Sequence, residues 1–377
     1  MRNAPVHAGR LDRWLTPEVT ERVSFAMKDF YAPVALAGVP GAVYAAPGGD
    51  FYGDLRAGWE MSASDRLWDI ARRFKLRMRR ANAQMGSQLN TGFASLAALL
   101  EDARNGQHQT VPYNKTSHTH VANASYSQWF VSGSPTAGSA ATVAPGGDAT
   151  DNTTSGAAPF TSAQSGNTAH LMSIEMLGNA NHSLFTYMLY DRLFQVRKTM
   201  NSNAAESVTG VPARYQSSTR GDENFAGGNF LFIESSSGSL AAGAHNHNVV
   251  QYRNQAGTDA QSAPSMAGIS GCVVNRLDMP VNRWFMPLAA GDDGIMDLHQ
   301  IQYDTSLIAS GQLTYSIGHP LAWMPSVVGG MGCQLDGLNT AFSLVRIFDG
   351  ACLSTLTIIP PTVTGVAVNI LLGIVEG

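Results

Sequence analysis

Residues 366–374 read VAVNILLGI, and their pattern sets the fold class of most of this chain. Val366, Val368, Ile370, Leu372 and Ile374 occupy every second position, and a period of two places such side chains on one face of a β-strand. The longer apolar run at 351–375 is interrupted by two prolines and several threonines. It therefore predicts two buried strands and no membrane span.

The same alternation recurs upstream. It is clear at 172–176 (MSIEM) and 313–317 (LTYSI), whereas 185–196 fits a helix or a strand and is predicted as a strand. Strands separated by Gly, Asp and Pro turns predict a mainly β chain, with a β-sandwich or jelly-roll-like domain. Further strands are predicted at 229–234, 248–253, 284–288, 301–305, 342–348 and 353–359.

The first quarter of the chain has a different character. Residues 1–104 carry 14 basic and 11 acidic side chains, whereas residues 105–377 carry 10 and 17. A Thr16-Pro17 helix start and helical spacing of apolar residues predict a helical, arginine-rich region at 1–105. The β-sandwich-like domain is predicted at 106–377, with a long Gly/Ser/Thr loop or extended arm at 132–169.

A second helix is predicted to begin near Ser62 or Ser64, and it carries seven basic side chains. Three interpretations of these side chains stay open. They could face solvent, contact an acidic surface of a neighbouring subunit, or contact packaged DNA. As candidate subunit-interface or nucleic-acid-facing residues they are Arg66, Arg72, Arg73, Lys75, Arg77, Arg79 and Arg80.

Two histidine pairs are the first candidates for chemistry. His118 and His120 are two residues apart, as are His245 and His247, and such pairs face the same side of a strand. Each pair offers two metal ligands, and the sequence shows no third or fourth. We therefore expect no metal site.

No other motif predicts catalysis. Asp292 and Asp293 lie in a Gly-Asp-Asp-Gly stretch, which is a turn composition. The glycines at 329–332 lack the Lys-Ser/Thr of a phosphate loop, and the three cysteines have no C-x-x-C spacing. The sequence predicts a protein that is not an enzyme and needs no cofactor.

Four stretches together resemble a family of structural proteins encoded by tailed bacteriophages, over about residues 170–377. They are FTYMLYDRL (185–193), FMPLAAGDDGI (285–295), GHPLA (318–322) and RIFDGACL (346–353). The resemblance implies a component of the virion, assembled in the host cytoplasm. Its expected partners are copies of itself and other virion proteins, with no membrane.

The resemblance leaves the place in the virion open. A β-rich, weakly charged domain favours a capsid decoration (cement) or minor head protein, for which a homotrimer is the favoured oligomer. The alternatives are the major capsid protein, a tail or fibre component, and a glycan-binding module. The last requires a cleft with paired carboxylates or exposed aromatic side chains, and Trp129, Trp284 and Trp323 are expected in the core.

Overall fold

The structure is a computed structural model of the 377-residue chain. It describes residues 98, 101–102, 109–177, 185–198, 202–236, 238–304, 310–326, 333–336, 345–358 and 362–377, all within one compact unit spanning 84–377. Of the predicted helical region, Ala98, Glu101 and Asp102 are helical, and the rest lies outside the described residues. In the part of the chain that the structure describes, no helix is long and apolar enough to cross a bilayer.

The described residues are mainly β, as the alternating patterns predict. Each pairing between the strands is antiparallel. The strands are β1 (Gln109–His120), β2 (Tyr126–Ser127), β3 (Gly133–Ser134), β4 (Asp148–Ala149), β5 (Ala169–Met176), β6 (Phe185–Arg197), β7 (Glu206–Ser207), β8 (Phe230–Ser235), β9 (Asn246–Asn254), β10 (Gln261–Ser262), β11 (Met266–Ala267), β12 (Ile295–Tyr303), β13 (Leu313–Ser326), β14 (Cys333–Asp336), β15 (Arg346–Ile347), β16 (Leu353–Ile358) and β17 (Val363–Glu376).

These strands form three sheets. Sheet I has the order β14-β5-β17-β1-β3, with β15 also paired to β5. Sheet II has the order β2-β16-β6-β13-β8, with β4 paired to β6. Sheet III has the order β10-β9-β12-β7, with β11 paired to β9. Neighbours that are far apart in sequence, such as β1 and β17, make the fold depend on long-range contacts.

Two hydrophobic cores hold the sheets. The first core joins side chains of sheet I, such as Val111 and Ile370, to Leu189 and Leu353 of sheet II. The second core joins other side chains of sheet II, such as Phe194 and Leu231, to those of sheet III, including Val250. Sheet II therefore contributes to both cores.

Strand β6 shows why the pattern of 185–196 was ambiguous. Tyr187 and Leu189 belong to the first core, and Met188 and Tyr190 belong to the second. A strand with apolar residues on both faces loses the period of two that marks a half-exposed strand. The prediction of a strand here is confirmed.

Most of the predicted strands are confirmed, with shifted ends. The alternating stretches at 172–176, 313–317 and 366–374 lie inside β5, β13 and β17. The strand predicted at 301–305 begins earlier, at Ile295, and of 342–348 only Arg346–Ile347 forms a strand among the described residues. The strand predicted at 284–288 is wrong, because those residues form no ladder and are tied to β8 by Met286 N donating to Leu231 O, at 2.7 Å.

The segment 132–169 lies against the domain along its length. Its strands β3 and β4 pair with β1 and β6. Lys115 is buried, and its ammonium group donates hydrogen bonds to the carbonyls of Val131, Pro135 and Thr136 at 3.2, 3.0 and 3.1 Å. Phe160 reaches the first core. Of the two forms that the sequence allows, the structure shows a packed loop and not a projecting arm.

Candidate functional site

The sequence-predicted candidates fall in different places. The seven basic residues at 66–80 and the glycines at 329–332 lie outside the described residues. Asp292 accepts hydrogen bonds from Tyr252 Oη at 2.6 Å and Asn254 Nδ2 at 2.7 Å, and Asp293 pairs with Arg220 at 2.9 Å. The two carboxylates thus bind different partners, and Asp292 N closes a turn by donating to Ala289 O at 3.0 Å.

One surface region concentrates exposed apolar side chains. Of the eight large hydrophobic side chains exposed in the described residues, six lie on segments that contact one another. The loop at 121–125 adjoins 275–282, because Asn282 N donates to Asn123 O at 2.8 Å and Leu277 N donates to Ser125 O at 2.9 Å. We call these six side chains the apolar surface; they are Val121, Val273, Val274, Val281, Phe285 and Trp323.

An aromatic group forms one part of the apolar surface. The ring of Trp284 contacts those of Phe285 and Trp323, with centroids 4.7 and 5.3 Å apart. Trp323 is 42% exposed and Phe285 is 41% exposed. The expectation that Trp323 is a core residue is wrong, because its strand neighbours Ala322 and Met324 point into the first core and alternation turns Trp323 the other way. Trp129 is fully buried, as expected.

A group of three polar side chains is buried between sheets II and III. Asp278 Oδ2 lies 2.8 Å from His245 Nε2 and 2.9 Å from His247 Nε2, and all three side chains are fully buried. Asp278 N donates to Ile233 O of β8 at 2.8 Å, whereas His247 lies in β9. The histidine cluster, as we call these three residues, therefore connects sheet II to sheet III.

Hydrogen bonds hold both imidazole rings in place. His245 Nδ1 lies 3.2 Å from the carbonyl of Gly243, and His247 Nδ1 lies 2.7 Å from Tyr315 Oη. Because a carbonyl only accepts, His245 Nδ1 carries a proton, and its Nε2 faces the carboxylate. Asp278 Oδ1 accepts from Ile269 N at 2.6 Å.

The cluster shifts the ionisation of its members. Burial alone raises the pKa of Asp278, but the hydrogen bonds from His245 and His247 outweigh burial and hold that pKa well below its usual range. Burial is the largest influence on His245 and lowers its pKa, but the hydrogen bond to Asp278, the negative charge of Asp278 and the Gly243 carbonyl together raise that pKa above its usual value. Both shifts favour a carboxylate beside an imidazolium.

The sequence did not predict this cluster, because its third member is remote. Asp278 lies more than thirty residues beyond His245 and in no motif with it. Gly268 also belongs to the arrangement: a Cβ there would lie 2.1 Å from His245 Nε2 and 2.8 Å from Asp278 Oδ2. Because Gly268 has no Cβ, the side chains of His245 and Asp278 fit beside its backbone. Nothing in the sequence indicates that this position requires glycine.

The other histidine pair has a different environment. His118 Nε2 and His120 Nε2 lie 2.7 Å apart, and Gln128 Nε2 lies 3.3 Å from His118 Nε2. Among the described residues, three potential metal ligands come together at His245, His247 and Asp278. His118 and His120 do not belong to that group. Equal spacing in sequence has thus produced two unlike sites.

Two buried ion pairs lie on adjacent residues of β6. Arg192 donates to Glu234 Oε1, and both side chains are fully buried. Arg214 donates from Nε and Nη2 to the two carboxylate oxygens of Asp191, each at 2.8 Å, and Cys352 N donates to the same carboxylate at 2.8 Å. These pairs join β6 to β8, to the loop around 214 and to the residue before β16.

His319 provides a pH-dependent contribution to stability. Its ring stacks on Tyr215 at 3.7 Å, and Nδ1 lies 2.8 Å from Asn229 Oδ1. Burial lowers the pKa of His319 from 6.5 to about 4. Between these values the unfolded chain binds a proton that the folded chain does not, so the free energy of unfolding falls as the pH drops from 6.5 to 4, by about 3 kcal/mol.

Replacing His319 with glutamine should remove this part of the pH dependence. Urea unfolding of the wild-type protein and H319Q at pH 7 and pH 4 measures it, because other titrating groups contribute equally to both proteins. An identical loss of stability on acidification in the two proteins would contradict the assignment.

Comparisons with known proteins add little to this geometry. No protein-family model matches the chain, and no curated protein matches it. A solved structure titled "Crystal structure of infectious bursal disease virus VP2 subviral particle" aligns over 72% of this chain and 80% of that chain, with 11% identity and a TM-score of 0.13. Such a score supports no argument about fold or function.

Proposed function

We propose that this chain is a structural component of a tailed-phage virion head, as a capsid decoration (cement) or minor head protein that stabilises the shell through subunit contacts. The observation that carries the proposal is the apolar surface, with six exposed large hydrophobic side chains on adjoining segments. Contiguous exposed apolar groups mark interaction sites in soluble proteins. The resemblance of residues 170–377 to phage structural proteins supports the same function.

The proposed architecture is a β-sandwich or jelly-roll-like domain. It is supported by the two cores, each of which combines side chains from two sheets. A rigid stack of sheets holds an interaction surface in a fixed shape, so little conformational entropy is lost on assembly. This suits a protein that makes the same contact at many places on one shell.

The secondary-structure content favours a decoration protein over a major capsid protein. The usual major capsid protein of tailed phages has a long spine helix followed by a mixed α/β core. The described residues after 108 form strands and irregular segments. A β-rich module that binds to an existing shell agrees better with this content, and its partners are copies of itself and other virion proteins.

Replacing Trp323 with serine should dissociate the proposed homo-oligomer. The expected wild-type particle is a trimer at micromolar concentration, and loss of a large aromatic side chain from the centre of an interface typically weakens binding at least thirtyfold. Light scattering after size exclusion measures the mass. The matched control is Val211→Ser, because Val211 is 55% exposed but is not one of the six side chains of the apolar surface.

The two variants separate the possible outcomes. An oligomer in the wild type and V211S but monomers in W323S support the proposal. A wild-type monomer that also fails to bind purified heads contradicts it, as does an unchanged oligomer in W323S.

A glycan-binding module is the second candidate function, and one observation favours it. The exposed rings of Trp323 and Phe285, both in contact with Trp284, are the kind of aromatic platform on which a sugar ring stacks. A glycan array separates the two candidates. Binding there that is lost in W323S, with no incorporation into particles, favours the glycan-binding function.

A further inference from the structure

We propose that the histidine cluster of His245, His247 and Asp278 is a binding site for one divalent transition-metal ion such as Zn²⁺, which cross-links sheets II and III. The ligand atoms of the three side chains lie within 4.8 Å of one another. Two imidazole nitrogens and one carboxylate oxygen form a donor set that zinc and its neighbours in the first transition row prefer.

The spacing of the donors suits an ion after a small expansion. Two ligands of one tetrahedral zinc ion lie roughly 3.4 Å apart, because the bonds are about 2.0 to 2.1 Å long. The Nε2 atoms of His245 and His247 lie 2.8 and 2.9 Å from Asp278 Oδ2. Each of these two contacts therefore has to open by about 0.5 Å, and the two Nε2 atoms, which lie within 4.8 Å of each other, have to adopt the same separation.

The surroundings of the rings already resemble those of metal-bound histidines. Such a histidine binds the ion through one nitrogen and donates its other N–H to a carbonyl or a similar group, which fixes the tautomer. His245 Nδ1–H points to the Gly243 carbonyl, and His247 Nδ1 faces the Tyr315 hydroxyl. Both rings thus present Nε2 to the same point.

Protons balance when the ion binds. Nε2 of His245 releases its proton to solvent, and Nδ1–H stays on the Gly243 carbonyl. His247 likewise binds the ion through a deprotonated Nε2, and its remaining proton sits on Nδ1 and is donated to Tyr315 Oη, since a hydroxyl can accept as well as donate. Asp278 binds as the carboxylate, so the described residues supply three ligands to the ion.

The ion at this site would be structural and not catalytic. All three side chains are fully buried, and a catalytic metal needs an open position that substrate can reach. Asp278 is anchored to β8 through its backbone, and His247 lies in β9. One ion would therefore add a metal cross-link to the apolar contacts and hydrogen bonds that already join the two sheets.

Metal analysis of the intact protein tests the proposal. The full chain, without a histidine tag, is produced in zinc-supplemented medium, purified without chelators and measured by elemental mass spectrometry. About one Zn²⁺ per chain is expected in the wild type and in the control H118Q, which alters a pair with the same spacing that forms no group of three candidate ligands in the part of the chain that the structure describes. Less than a tenth of that is expected in D278N.

Two further measurements complete the test. Removing the metal with a strong chelator should lower the Tm of the wild type by about 5 °C and leave D278N unchanged. If D278N does not fold, X-ray absorption of the zinc-loaded wild type decides, with two imidazoles and oxygen at about 2.0 to 2.1 Å expected. The proposal is overturned by a wild-type protein with less than 0.1 divalent transition metal per chain, by full occupancy in D278N, or by a metal without imidazole ligands.

Discussion

Replacing Glu234 with glutamine should lower the free energy of unfolding by about 3 to 5 kcal/mol. Glu234 is the carboxylate partner of Arg192, and both side chains are 0% exposed. Arg192 also donates to Gln195 Oε1 at 3.0 Å and Ser316 Oγ at 2.7 Å, but neither group carries charge. The substitution leaves a guanidinium group in the interior without a counter-charge, which is the costly way to break a buried pair.

An exposed ion pair provides the matched control. Arg220 and Asp293 lie 2.9 Å apart, with their side chains 81% and 46% exposed. Water screens such a pair, so Asp293→Asn should change the free energy of unfolding by less than about 1 kcal/mol. Urea unfolding followed by circular dichroism measures both variants. Equal losses in E234Q and D293N would show that burial does not set the value of the pair.

Replacing Trp129 with alanine should destabilise the protein by about 3 to 5 kcal/mol. Trp129 is fully buried in a small cluster with Ala157 and Cys352. The loop at 132–169 closes over it: a Cβ on Gly138 would lie 2.1 Å from Trp129 Nε1. Gly138 has no side chain that could move into the volume vacated by the indole ring. The truncated side chain therefore leaves a cavity.

The same substitution at Trp323 tests the explanation. Trp323 is 42% exposed, so Trp323→Ala creates no closed cavity and should cost less than about 1 kcal/mol of stability. Thermal and urea unfolding of W129A and W323A give the comparison. A larger loss in W323A than in W129A would contradict the assignment of Trp129 as core and Trp323 as surface.

Trp129 and Glu234 are coupled through a shared neighbour. The guanidinium carbon of Arg192 lies 4.6 Å from the Trp129 ring, and the same side chain donates to Glu234. Residues with a common partner show interaction energies of about 0.5 to 3 kcal/mol in double-mutant cycles. We therefore expect the effects of W129A and E234Q not to add in the double variant.

The histidine pairs show where sequence reasoning stops. The spacing of His245 and His247 predicted two rings on the same side of a strand, and the rings do lie together, with centroids 5.5 Å apart, although His245 precedes the first residue of β9. The carboxylate between them comes from Asp278, on a segment that reaches the pair only because its backbone follows β8. His118 and His120 have the same spacing but meet Gln128. The spacing of two residues in the sequence therefore predicts whether their side chains face the same way. It does not predict which side chains from other segments they contact.

The tryptophans show the same limit for burial. Hydrophobicity alone predicts that Trp129, Trp284 and Trp323 lie in the core. This prediction is right for Trp129 and wrong for Trp323. The outward direction of Trp323 follows from its position between Ala322 and Met324, both of which point into the first core. That position becomes visible only once the register of β13 is known.

Strand content follows from the chain's local patterns, since a period of two in side-chain polarity requires no knowledge of distant residues. The alternation at 366–374 is enough to predict β17, and turn residues are enough to separate the strands. The pairing of β17 with β1 and β5, the burial of sheet II on both faces and the meeting of Asp278 with His245 and His247 come from folding in three dimensions. They depend on which distant segments bury the most apolar surface together, and that choice is a property of the whole chain and not of any window within it.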